Sequence, residues 1–138
     1  MKKTTQTETK QPRVLLVVKD ALFLETLIKR LKKAGMFAMA ARSDQELAEI
    51  LDNKVVDVVL LDIREYSDAA IQSLTMINQK QPLVQTILIS STENIRQSMA
   101  GMKHGASDDI TAPCEVVALI AKIREAWGRK QQILKKKR

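Results

Sequence analysis

Aromatic side chains are almost absent: one Trp, one Tyr and two Phe make up 3% of 138 residues. So few flat faces argue against a surface that stacks nucleic-acid bases, and the lysine-rich end, residues 135–138, has none. One cysteine, Cys114, excludes an internal disulfide and suits a reducing compartment. Thiol catalysis would need a partner base, yet the only histidine, His104, stands in another segment, just before Gly105. Cys114 therefore reads as a small apolar filler, and His104 as a cation in the last turn of a helix. A single His without a cysteine cluster is a poor zinc site. No run approaches the roughly twenty apolar residues of a membrane span, and residues 1–12 are too polar for a secretory leader. The expected compartment is the cytoplasm, with no membrane partner.

What is present fits one ordinary domain. The net charge of +7 is unevenly placed: residues 1–13 carry +3, residues 129–138 carry +6, and residues 14–128 carry −2. The basic excess thus lies in the tails, so nucleic acid is not expected as a partner of the domain itself. The organisation read from this is a flexible polar tail over 1–12, a domain over 13–128 and a basic C-terminal extension over 129–138.

Within the domain, strand and helix signals alternate. Residues 13–18 form a continuous apolar strand, after which Leu24, Leu27, Ile28 and Leu31 recur at helical spacing until Gly35 supplies a left-handed stop. A weaker strand over 36–41 precedes a short helix, capped by Ser43 or Asp44, whose Leu47, Ile50 and Leu51 face inward. A third strand over 56–61 leads to a helix carrying Ile71, Leu74 and Ile77. Pro82 then breaks the chain before a fourth strand over 84–89. A helix with Ile95, Met99 and Met102 follows, then a short fifth strand over 106–110. The last helix carries Val116, Leu119, Ile120, Ile123 and Trp127, with Trp127 a docking residue on the sheet.

Five strands alternating with five helices predict an α/β fold with a doubly wound parallel sheet, because right-handed crossovers put helices on both faces. In the flavodoxin-like strand order 2-1-3-4-5, the first and third strands are neighbours where the winding reverses. Lys19 and Asp20 then lie beside Asp62 at one rim. Ser90 and Ser91 join them from the fourth strand, and Thr111 and Ala112 from the fifth.

The segments Val14-Leu15-Leu16-Val17-Val18-Lys19-Asp20, Asp57-Val58-Val59-Leu60-Leu61-Asp62, Ile87-Leu88-Ile89-Ser90 and Gly105-Ala106-Ser107-Asp108-Asp109-Ile110-Thr111-Ala112-Pro113 together resemble the response-regulator receiver family, the phosphoacceptor domains of two-component signalling. The resemblance covers residues 13–128. It implies Asp62 as phosphoacceptor, Ser90 as the hydroxyl that hydrogen-bonds the phosphoryl group, and Asp20 as the second acid of a magnesium pair. Asp62 and the backbone carbonyl of Arg64 would complete that metal site. A cis bond before Pro113 also follows by resemblance.

Several family features are missing. Lys19 stands where the first acid belongs, and Ala112 where the family has a lysine. Glu65 and Tyr66 replace the usual Met-Pro, Asp68-Ala69 arrives one residue before the expected Asp-Gly, and Asp109 takes the place of the switch aromatic. Phosphoryl transfer to a carboxylate depends on neutralising crowded negative charge, so both cation changes weaken it. Like charges about 4 Å apart repel by roughly 4 kcal/mol at an effective dielectric of 20, so a lysine in the pocket disfavours Mg²⁺, whose site is weak or absent. Lys19 either pairs with Asp62 or Asp20 as the pocket cation, or points to solvent. The expected function is a receiver-like signalling module with impaired or absent Asp phosphorylation. It would not be an enzyme, and it would act on a sensor histidine kinase or other signalling protein, or as a homodimer through the fourth helix and fifth strand. The alternative is a flavodoxin-like cofactor-binding protein or enzyme. It is disfavoured because residues 19–24 lack the glycines of a phosphate-binding loop.

Overall fold

A computed structural model describes residues 11–64 and 69–137. The expectations placed on residues 1–10, and on Glu65, Tyr66 and Asp68, lie outside the described residues. Five strands, β1 (Arg13–Val17), β2 (Phe37–Ala40), β3 (Val58–Asp62), β4 (Gln85–Ser90) and β5 (Asp108–Thr111), alternate with five helices. These are α1 (Ala21–Lys33), α2 (Asp44–Asn53), α3 (Ala69–Lys80), α4 (Ile95–Lys103) and α5 (Val116–Lys136). The strands form one parallel sheet in the order β2-β1-β3-β4-β5, as expected.

Both sheet faces are covered, which is why β1 and β3 are apolar without alternation. Successive side chains point to opposite faces. Val14 and Leu16 meet Leu24, Leu27 and Leu31 of α1 and Leu119, Ile123 and Ala126 of α5. Leu15, Val59 and Leu61 meet Leu47 and Leu51 of α2 and Leu74 and Ile77 of α3. Trp127 packs on the first of these cores, as its spacing predicts. Gly35, with φ of 86°, supplies the expected left-handed stop after α1.

Helix α4 differs from what its apolar residues suggest. Ser98 and Gly101 are its buried residues, while Ile95, Met99 and Met102, which mark the helix in the sequence, face out. A Cβ on Gly101 would lie 2.4 Å from Cδ1 of Leu88, so the missing side chain is what lets α4 sit close to β4.

Past residue 128, where the basic extension is expected to begin, the chain stays helical. Helix α5 continues unbroken to Lys136, and Lys130 and Leu134 are buried on it. The Lys130 Nζ donates to Val56 O at 3.0 Å and to Asp57 Oδ1 at 2.9 Å. Arg13 Nε and its backbone N–H share Asp57 Oδ2. Burial pulls the Lys130 ammonium below its ordinary pKa, partly offset by Asp57. Burial also opposes ionisation of Asp57, but the hydrogen bonds from Arg13 and the charge of Lys130 outweigh it and hold the carboxyl below the usual range. Lys130 therefore anchors this part of α5 at the N-terminal rim of the sheet, opposite the acidic rim.

Candidate functional site

At the C-terminal rim the register pairs Val17 with Leu61 and Asp62 with Ile89, so the ends of β1, β3 and β4 lie side by side. Asp62 is the last residue of β3, and its side chain is 9% exposed, low enough to need a partner. Ser90 closes β4 and is buried, and its carbonyl accepts the Ala112 N–H at 2.6 Å. The Ala112–Pro113 bond is cis, as the resemblance implies. Ala112 thus presents a methyl group beside Ser90, and no ammonium reaches in from that position.

The cation seen on Asp62 is Arg64. Arg64 Nη2 donates to Asp62 Oδ2 at 2.7 Å, while Arg64 Nε and its own backbone N–H donate to Oδ1 at 2.9 and 3.0 Å. Both carboxylate oxygens are thereby engaged by one residue, the bidentate arrangement that a planar guanidinium favours. The hydrogen bonds that Arg64 donates to Asp62 raise the Arg64 pKa against the cost of burial, and the charge of Asp20 adds to this. The guanidinium also lies over the Phe23 ring, 4.9 Å from its centroid. Lys19 is exposed at the end of β1 and borders an adjacent hollow with Glu25, Lys29, Arg42 and Asp44.

Asp20 reaches the same rim, close enough to act on Arg64, but it also has a local task. It is the N-cap of α1, and its Oδ1 accepts the backbone N–H groups of Leu22 and Phe23. On the far side of Asp62, Asn94 Nδ2 donates to Ile63 O at 2.7 Å, and Asn94 Oδ1 accepts the Ser91 N–H, so a buried amide joins the ends of β3 and β4. Cys114 packs against the core. Burial raises its thiol pKa, which keeps it protonated and fits the filler reading.

The arrangement does not suit magnesium as it stands. Mg²⁺ needs near-octahedral oxygens and gives up water reluctantly. Here the two Asp62 oxygens carry a guanidinium, one Asp20 oxygen carries two amides, and among the described residues no group of three or more His, Cys, Asp or Glu could hold an ion. The backbone carbonyl of Arg64, expected as a ligand, belongs to the residue whose own side chain pairs with Asp62.

Sequence reasoning missed the Arg64 guanidinium. The available signal was an arginine two residues past the acceptor position in a chain that lacks the lysine at position 112.

Comparison with known proteins agrees with the fold. Residues 14–124 match the response regulator receiver domain family. The chain is 28% identical over 114 residues to the chemotaxis protein CheY of Listeria monocytogenes, covering 81% of this chain and 96% of CheY. It is 24% identical over 120 residues to the DNA-binding transcriptional regulator NtrC of Escherichia coli, covering 86% of this chain and 26% of NtrC. The CheY-like receiver domain protein of Methanospirillum hungatei superposes with a TM-score of 0.80 at 20% identity, covering 89% of this chain and 98% of that one. Receiver domains bind Mg²⁺ at their phosphorylation site and interact with sensor kinases or other signalling proteins. On its rim residues, its strand order and this match, the chain belongs to the response regulator receiver domain family.

Proposed function

We propose that this chain is a receiver of two-component signalling that works mainly by protein contact, with phosphorylation of Asp62 impaired or absent. The observation that carries the reading is Ala112, a methyl group beside Ser90 where the family places a lysine. Without that ammonium, charge developing on a phosphoryl group at Asp62 loses a fixed cation in a site whose chemistry depends on such cations. Ser90 still stands at the rim to offer its hydroxyl, so with Asp62 and Asp20 three of the family's parts remain.

The contact surface proposed is α4 with β5. Ile95, Met99 and Met102 form an exposed apolar stripe, and such a stripe on a short helix suits a partner's groove or a second copy of the chain. Ser98 Oγ donates to Asp109 Oδ2 at 2.7 Å, tying the helix to β5 at the switch position. The partner proposed is a sensor kinase or another signalling protein, and no enzymatic turnover is assigned. The described residues contain no helix long and apolar enough to cross a membrane.

The test is to incubate the protein with Mg²⁺ and acetyl phosphate or phosphoramidate and to read intact mass. Little or no phosphate is expected on the wild type. Stoichiometric phosphate on the wild type and none on Asp62→Asn would overturn the impaired reading.

A further inference from the structure

We propose that Arg64 is the resident counter-cation of the Asp62 pocket, stacked in place by Phe23, and that it excludes a divalent metal ion from Asp62 for as long as it sits there. This rests on the reading of Asp62 as the receiver's acceptor position. It is tested by ion binding rather than by phosphorylation, so the two fail separately.

Two features of the geometry and one of the local charge support it. First, the three contacts from Arg64 use both oxygens of Asp62, at 2.7, 2.9 and 3.0 Å, so an arriving ion meets no free carboxylate oxygen pair. One of those contacts is the backbone N–H of Arg64 itself, which sets the side chain within reach before its rotamers are chosen. Second, the guanidinium has a second fixed surface, the Phe23 ring in the first turn of α1. A flat, weakly hydrated cation suits an aromatic face, whereas a hydrated Mg²⁺ does not. Third, Asp20 adds favourable charge to Arg64 without giving up its cap on α1.

One arginine therefore bridges the start of α1, the end of β3 and the acidic rim. Its charge neutralises Asp62 at any metal concentration, so the rotamer of Arg64 decides whether the pocket is open to an ion. Arg64 acts as a positioning residue here.

The experiment uses the full ¹⁵N-labelled chain titrated with MnCl₂, read by paramagnetic broadening of the backbone amide signals of Asp20, Asp62 and Ile63. For the wild type these signals should broaden no more than those of residues 130–136, at the far end of α5. Arg64→Ala should broaden them selectively, with Mn²⁺ affinity for the pocket raised about tenfold or more, since the carboxylate oxygens then carry no competing charge. Arg64→Gln serves if Arg64→Ala loses its dispersed spectrum. Arg64→Lys keeps the charge but loses the planar fork and the stack, so its affinity should lie between those of the wild type and Arg64→Ala. Phe23→Leu leaves every carboxylate and Arg64 in place and should raise the affinity by a smaller factor of about two to five, because only the stack is lost. Arg64→Ala combined with Asp62→Asn should lose the gain. The proposal fails if the wild type binds Mn²⁺ at these residues as tightly as Arg64→Ala, if neither Arg64→Ala nor Arg64→Gln gains affinity, or if the gain survives Asp62→Asn.

Discussion

Lys130 Nζ lies 2.9 Å from Asp57 Oδ1 with both side chains at 0% exposure, a buried ion pair between the end of α5 and the start of β3. A buried pair is weak evidence for stability as such, but stranding one member of it is costly. Asp57→Ala leaves the Lys130 ammonium without its counter-ion and should cost about 3–5 kcal/mol. In a chain of this size that corresponds to a fall in Tm of roughly 10–20 °C by thermal melting. Lys130→Met removes the buried charge while Arg13 still pairs with Asp57, so its cost should stay below about 2 kcal/mol. A larger loss for Lys130→Met than for Asp57→Ala would contradict this account.

The same pair sets a pH dependence. Asp57 titrates lower in the folded chain than in the unfolded one, so the unfolded chain takes up the proton first as pH falls. Its contribution is present above the ordinary carboxylate range and is lost as pH drops through the folded value. Urea unfolding should show wild type ahead of Asp57→Asn near pH 6, with the gap closing towards about pH 3. A gap that widens on acidification would count against the sign argued here.

Gly101 makes a prediction about packing. Gly101→Ala should gain up to about 1 kcal/mol of helix propensity, but its Cβ would meet Leu88 at 2.4 Å in a filled core. Overpacking of that kind costs about 1–3 kcal/mol, so the net effect should be destabilising. Adding Leu88→Ala should make the pair less than additive in chemical denaturation.

Ser98→Ala tests how α4 is held. The variant leaves Asp109 Oδ2 without the 2.7 Å hydroxyl donor, at a cost of about 1–2 kcal/mol. Because α4 is short and its large apolar residues, Ile95, Met99 and Met102, are exposed, the loss should appear locally, as α4 amides exchanging hydrogen about tenfold faster while β3 amides hold. Uniform acceleration across the sheet would argue that Ser98 supports the whole fold instead.

Much of this protein is legible in its residue order. The unbroken apolar runs ending at Lys19, Asp62 and Ser90 announce a sheet buried on both faces, whose charged ends share one rim. The spacing of Leu119, Ile123 and Trp127 announces a helix lying on that sheet. These signals survive in sequence because each depends on a local period of two or of about 3.6. Lys130 was less visible inside a basic run, although it falls on the buried stripe with Ala126 and Leu134, and Asp57 is the acid that opens an otherwise apolar strand.

What the sequence alone determined is the alternation of strand and helix, the parallel sheet and the acidic residues delivered to its C-terminal rim, because burial of both faces dictates a pattern that short segments carry by themselves. Only the tertiary structure decided which cation meets Asp62, which face of α4 is buried and where α5 ends. Each of those outcomes turns on a few ångströms between groups distant in the chain or free to choose among rotamers. The guanidinium of Arg64 reaches both Asp62 oxygens, the bare Cα of Gly101 lets α4 approach Leu88, and Lys130 meets an acid 73 residues away.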